Sequence, residues 1–162
     1  MNPERLRQLK LLLSAAFLAA ATSFVFPFLV LTIDERLGRG SGVELAAGDA
    51  EVSGRYVHDA YEGQVEDGLD LAQLPAAVAF VALLAGALGT WVPRRKGFWL
   101  GLGGAVVGLL GLFWLKQALS GPQLLAVVEL RYGYWLAMVA TLGVTALSGF
   151  ILYRTSWTYL NR

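Results

Sequence analysis

The chain has 162 residues, 56% of them apolar and only 15% charged, against about 25% charged in an ordinary soluble domain. Its formal net charge is +1, it has no cysteine and a single histidine, His58. That excludes disulfides, thiolate chemistry and a haem held by two histidines of one chain, and leaves no footprint for nucleic acid.

The charges are gathered into blocks separated by long apolar runs, the pattern of a chain that crosses a membrane several times. The first run, 11–33, contains no ionisable residue. As a helix it is roughly 34 Å long, enough for a hydrocarbon core of about 30 Å. Arg5, Arg7 and Lys10 ahead of it, with Ala19 and Ala21 inside it, also fit the outline of a signal peptide. The apolar stretch of a signal peptide is only about 7–15 residues, whereas this run continues through Phe24, Phe26, Phe28 and Leu31. An uncleaved helix is expected, kinked near its outer end by Pro27.

Residues 34–74 form one long polar loop that holds ten of the twelve acidic residues against three arginines, Arg36, Arg39 and Arg55. Within it, Val43-Glu44-Leu45 and Glu51-Val52-Ser53 alternate in polarity around Gly48-Asp49, which predicts a small β-hairpin. Val57, Tyr61, Val65 and Leu69 then recur every four residues, one apolar stripe of a helix that Gly63 and Gly68 weaken. His58, Asp59 and Glu62 would lie near one another on that helix. They have neither EF-hand spacing nor a second histidine, and a solvated acidic face is the plainer reading. Tyr56, His58, Asp59, Tyr61 and Glu62 are the candidate interaction group of this loop. The loop is too small for a core of its own and is expected to pack on the end of the bundle.

The second span, 75–91, opens on Pro75, suited to a first helical turn, and is stopped by Pro93 and the basic turn Arg94-Arg95-Lys96. The third, 97–115, ends at Lys116. A turn at Ser120-Gly121-Pro122 and a short apolar piece, 124–128, precede the fourth span, 132–153. Because 123–153 is too long for an untilted crossing, that short piece is expected to lie at the interface, with a long tilted fourth helix as the alternative.

Eight Lys and Arg residues (Arg5, Arg7, Lys10, Arg94, Arg95, Lys96, Arg154 and Arg162) flank the spans on one side, and five (Arg36, Arg39, Arg55, Lys116 and Arg131) lie on the other. The richer side is expected in the cytoplasm, with both termini there, since positive charge near the spans stays inside. Trp91 and Trp99 would mark the inner edge, Tyr132, Tyr134 and Trp135 the outer edge, and Tyr153, Trp157 and Tyr159 the inner edge again.

The most specific pattern lies in the third span. Gly97, Gly101, Gly104, Gly108 and Gly111 are spaced four, three, four and three, which keeps all five on one helix face. Glycine costs a helix interior roughly 1 kcal/mol relative to alanine, and close backbone approach to a neighbouring helix is the usual compensation. Ala82, Ala85, Gly86 and Gly89 of the second span offer the matching surface, and sequential spans are natural neighbours. Ala137, Thr141, Thr145 and Ser148 line one face of the fourth, where hydroxyls bond either back to their own helix or across to another. Contact between copies and a ligand cleft are the other uses open to the glycine face.

None of the four runs carries Asp, Glu, Lys, Arg or His near its centre, the usual mark of proton relays and ion coupling. Ser14, Ser23 and Ser148 have no intramembrane base to activate them. Gly101, Gly103 and Gly104 do not complete a dinucleotide fingerprint, and no repeat relates the two halves. No catalytic, cofactor or metal residue is therefore expected.

In layout the chain resembles the four-span bacterial membrane proteins of unassigned function in which a long outer loop follows the first span and a basic turn joins the second and third. Here these are residues 34–74 and Arg94-Arg95-Lys96, and an aromatic run, Tyr132 to Trp135, opens the fourth span. The topology is also similar to that of claudins, whose first outer loop forms a small sheet, but the loop lacks their cysteines and tryptophan signature. The resemblance implies topology and no functional residue.

The sequence thus describes an all-α, single-domain membrane protein over 1–162, a four-helix bundle of the inner cell membrane with an extracytoplasmic loop. The expected function is non-enzymatic: an accessory, assembly or scaffold subunit of a membrane complex, with a channel or transporter component acting as an oligomer as the alternative. Expected partners are the lipid bilayer and other membrane subunits or a second copy; neither nucleic acid nor a cofactor is expected. The charge bias makes the topology testable. Single cysteines introduced by Asn2→Cys and Asn161→Cys should resist an impermeant thiol reagent in intact cells, and Ser53→Cys should react. Labelling at both ends but not at position 53 would reverse the orientation.

Overall fold

The computed structural model describes residues 3–33, 36–48, 59–93, 96–120 and 128–160. Four long helices form a bundle: α1 (Pro3–Thr22), α3 (Asp59–Gly89), α4 (Lys96–Leu119) and α5 (Tyr132–Leu160). A short helix, α2 (Gly42–Ala47), and three strands, β1 (Pro27–Ile33), β2 (Arg36–Ser41) and β3 (Val128–Leu130), gather at one end. α1 packs on α3 and α5, and α4 packs on the same two, so helices consecutive in the chain are neighbours in the bundle. Each of the four, α1 together with the 3-10 turn that follows it, provides a stretch long and apolar enough to cross a bilayer: Glu4–Val25, Asp70–Gly89, Lys96–Leu119 and Tyr132–Arg154. Outward faces carry large apolar side chains, among them Leu18, Val81, Leu88, Leu110 and Val139, a surface suited to lipid rather than water. The interior is filled by Leu13, Phe17 and Ala20 of α1, Ala76, Ala79 and Leu83 of α3, Ala105, Leu112 and Leu115 of α4, and Ala137 and Val144 of α5.

Several boundaries differ from those the sequence predicts. The first helix does not run to residue 33. It ends at Thr22, tightens into a 3-10 turn over Ser23–Val25, and gives way to β1 at Pro27. Pro27 lacks the N–H that a helix would need and its ring would clash with the preceding turn, so the kink expected there becomes a full stop. The aromatic and β-branched run beyond it then suits a strand. β1 is the central strand, antiparallel to β2 on one side and to β3 on the other, with Val30 opposite both Arg39 and Glu129. The interfacial piece expected at 124–128 therefore contributes Val128 to a strand; residues 124–127 lie outside the described residues.

The first arm of the hairpin expected around Gly48-Asp49 is not a strand, and its second arm, 51–53, lies outside the described residues. Gly42–Ala47 is helical, because Ser41 accepts a hydrogen bond from the Glu44 amide while the Glu44 carboxylate accepts one from the Ser41 amide. This reciprocal cap fixes a helix start more strongly than three residues of alternation fix a strand. Gly48 ends the helix at φ 79°, a left-handed conformation that favours glycine, with Gln73 of α3 where a side chain would otherwise lie. Pro75 does not open the second long helix but sits buried inside it. α3 begins sixteen residues earlier, at Asp59, through the stretch whose apolar stripe pointed to a helix.

Tyr134 is the other departure. Tyr132 and Trp135 are exposed at the sheet end as expected of interfacial aromatics, but Tyr134 is fully buried. Its ring stands edge-on to Phe28 at 6.0 Å and to Trp135 at 5.3 Å, and its hydroxyl donates to the Leu112 carbonyl at 3.1 Å. It ties the start of α5 to α4 and to the central strand. Tyr134→Phe should therefore lower stability in detergent by about 1 kcal/mol, the net worth of one hydrogen bond, while Tyr132→Phe should leave the thermal midpoint unchanged. Equal midpoints for the two variants would show that the Tyr134 hydroxyl contributes nothing.

Candidate functional site

The most strongly specified contact in the bundle is the face that α4 turns toward α3 and the turn after it. The position of each glycine there is clearest from what a side chain would meet. A Cβ on Gly104 would lie 2.7 Å from the Gly86 Cα and 2.8 Å from the Ala82 carbonyl oxygen. One on Gly111 would lie 3.0 Å from the Ala79 backbone nitrogen, and one on Gly97 2.5 Å from the Val92 carbonyl oxygen in the α3–α4 turn. At these three positions the obstacle includes backbone, which cannot move aside without shifting a helix or turn. Gly101 and Gly108 instead meet side chains, the Thr90 methyl at 3.2 Å and the tip of Leu83 at 3.2 Å. On α3, a Cβ on Gly89 would meet that of Leu100 at 3.0 Å. Ala82 is buried and Ala85 exposed, so the small residues of α3 divide between the α4 contact and its rim.

The close approach of α3 and α4 leaves a hollow that α1 fills. The Phe17 ring lies 2.5 Å from the position of a Gly86 Cβ and, with Leu13, borders Gly101. Three helices therefore meet at one level. One and two turns nearer the α3–α4 turn, α1 makes two polar contacts: the Trp91 indole N–H donates to the Ser14 hydroxyl at 3.3 Å, and the Lys10 amine donates to the Val92 carbonyl at 2.9 Å. Lys10 also lies 6.0 Å from the centre of the Phe98 ring. Lysine stems bury along apolar surface while the amine seeks a polar partner, and here the partner is a carbonyl of the turn that follows α3.

The hydroxyls are arranged differently from what interhelical adhesion would require. Thr141, Thr145 and Ser148 donate to the carbonyls of Ala137, Thr141 and Val144, each four residues back on α5. Thr90 and Ser23 turn in the same way onto Ala87 and Ala20. All five donors are thus satisfied within their own segments, and none of these bonds crosses to a neighbouring helix.

Sequence reasoning selected the α4 glycines and their counterparts on α3, because period and residue type together are legible. It did not select Phe17, Lys10, Gly42 or Gly133. Gly133 lets α5 start against β1, with the Pro27 carbonyl oxygen 2.5 Å from where its Cβ would be, and Gly42 sits against Phe24 and Phe28. These glycines answer to partners far off in the chain, so no local period marks them. Of the outer-loop group, Tyr56 and His58 lie outside the described residues, and of Asp59, Tyr61 and Glu62 only the backbone is described, in the first turn of α3. Among the described residues no three His, Cys, Asp or Glu side chains gather as metal ligands would.

Comparison of the chain with protein-family models, with curated proteins and with solved structures finds no match.

The contrast between neighbouring glycines provides a sharp test. Gly103 has nothing within 4 Å of its Cβ position, whereas Gly104 faces backbone. Gly104→Ala should destabilise the bundle in detergent by roughly 1–3 kcal/mol through overpacking, and Gly103→Ala should be neutral or stabilising by up to about 1 kcal/mol through helix propensity. Equal thermal midpoints for the two variants would mean that α3 and α4 do not approach as described.

Proposed function

We propose that this is a non-enzymatic integral membrane protein that serves as an accessory, assembly or scaffold subunit of a membrane complex. In this reading both termini and the α3–α4 turn lie on the cytoplasmic side of the inner membrane, and the sheet with α2 lies outside. The bias of eight basic residues against five supports that orientation.

The observation that carries the functional reading is the closed interior. Where α1, α3 and α4 meet, backbone and the Phe17 ring occupy the space, and the buried hydroxyls of Thr90, Thr141 and Ser148 are turned onto their own helices. A conduction path needs a polar lining, and a reaction needs an activated group; the centres of the spans supply no ionisable residue for either. What the chain does offer is a rigid bundle that displays a small folded structure at one end, a form suited to holding or orienting another protein.

The test is purification in a mild detergent from cells that make the chain at its native level, followed by deletion. A membrane protein should co-purify in fixed ratio, should retrieve this chain when itself purified, and should lose abundance in the membrane when this chain is deleted. A chain that purifies alone, leaves every other membrane protein at its normal level and carries ions or solutes when reconstituted in vesicles would overturn the accessory reading in favour of an oligomeric channel or transporter component.

A further inference from the structure

The surface that the bundle turns outward carries rulers for the bilayer it occupies, and those on α4, α5 and α1 are short. On α4, Trp99 and Trp114 are both exposed, 62% and 48%, and are fifteen residues apart, so about 22 Å of helix axis separates them. On α5, Trp135 and Tyr153, 48% and 64% exposed, are eighteen residues apart, about 27 Å. Exposed Trp and Tyr at the two ends of a membrane helix sit at headgroup level, so the hydrocarbon between them is no thicker than these distances, and helix tilt only reduces it.

The third ruler is independent of aromatics. α1 ends at Thr22, the 3-10 turn that follows it ends at Val25, and the sheet begins at Pro27. Among the described residues β2 and β3 are open edges of that sheet, and open edges do not sit in hydrocarbon, so the sheet lies outside it. At the other end the Lys10 amine is held on the Val92 carbonyl, level with the non-helical turn after α3. Lys10 and Val25 are fifteen residues apart, about 24 Å along the helix and its 3-10 end. Arg131 donates its amide to the Phe28 carbonyl at 2.8 Å and Gly133 abuts Pro27, which fixes α5 and β1 at a common height, so the rulers on α1 and α5 share one end level.

We infer that the lipid-facing surface of this bundle is built for a bilayer whose hydrocarbon core is roughly 22–27 Å thick, several ångströms less than the common value of about 30 Å. The partner is thus a lipid phase with short or thin-packing acyl chains. In a thicker one the bundle must draw Trp99, Trp114, Trp135 and the α3–α4 turn into hydrocarbon, or thin the lipid around it. The inference rests on the reading of the four helices as membrane spans.

The experiment reconstitutes the full chain in phosphatidylcholine vesicles with monounsaturated chains of fourteen, sixteen, eighteen, twenty or twenty-two carbons. It first checks insertion by resistance to alkaline carbonate and flotation with the lipid, then follows thermal unfolding by tryptophan fluorescence. The midpoint should be highest in the fourteen- or sixteen-carbon lipid and fall steadily with longer chains, and brominated lipids should quench the tryptophans more deeply along the bilayer normal as the chains lengthen. A midpoint that rises toward twenty carbons, or that does not vary, in a protein that resists carbonate overturns the thickness inference and leaves the spans standing. Release by carbonate overturns the spans and the inference together. The double variant Trp99→Leu/Trp114→Leu changes two outward side chains and should flatten the dependence; an unchanged dependence on chain length would remove the α4 ruler from the inference.

Discussion

The architecture depends on the contact at which α4 comes backbone-to-backbone against α3, with Gly104 over Gly86 and the Ala82 carbonyl. Between membrane helices the usual hydrophobic drive is absent, because lipid tails are as apolar as leucine, and dispersion across a close interface has to supply the adhesion. Dispersion falls steeply with separation, so adhesion requires that side chains be missing where the axes are nearest. Gly104, Gly111 and Gly86 meet that condition. Their proximity creates the recess that receives Phe17, and Phe17 locates α1. From α1 the chain of contacts runs on through Phe24, whose ring lies 4.7 Å from Phe28, and from Phe28 to Tyr134 at the head of α5. The sheet end is thereby placed by the same contact that joins the middle of the bundle.

Different parts of this arrangement were readable from the sequence to different degrees, for physical reasons. Four long apolar helices were legible because lipid demands unbroken apolar length and charge collects at its borders. The glycine face of α4 was legible because its signal is local: residues on one face of one helix recur at spacings that a single stretch reveals. The end of α1 was not. A run such as Phe24–Ile33 is apolar whether it is a helix or a buried strand, and periodicity alone does not separate the two. Pro27 was the discriminating residue, and its weight depended on whether strand partners were available for the residues after it. Those partners, Arg36–Ser41 and Val128–Leu130, are polar or remote. The first arm of the hairpin expected near Gly48 failed for the opposite reason. Ser41 and Glu44 carry a complete helix-start signal three residues apart, and it outweighs the weak alternation of polarity.

Tyr134 illustrates how composition misleads at an interface. Three aromatics within four residues read as one belt, yet Tyr132 and Trp135 face outward while Tyr134 is enclosed by Phe28 and the α4 backbone. Helical geometry turns successive residues by about 100°, so a cluster in sequence is necessarily dispersed around the axis. The same geometry leaves Gly103 open and Gly104 enclosed. Function was less legible than fold because the residues that organise this bundle act by shape and close approach, and neither leaves the titratable or nucleophilic signature by which a reactive site announces itself.

The pairing of β1 with β3 bears on how the chain is made. Leu29 and Leu130 are partners in one ladder, although about a hundred residues separate them. β1 and β2 are consecutive and can pair as soon as both have emerged, but β3 is synthesised only after three of the four long helices. Contacts between such remote segments form late, since the closure entropy of the intervening chain must be met before they return anything. The nascent protein therefore passes through a stage in which one side of its central strand still awaits a partner, and the fold is completed when the segment leading into α5 arrives to cover it.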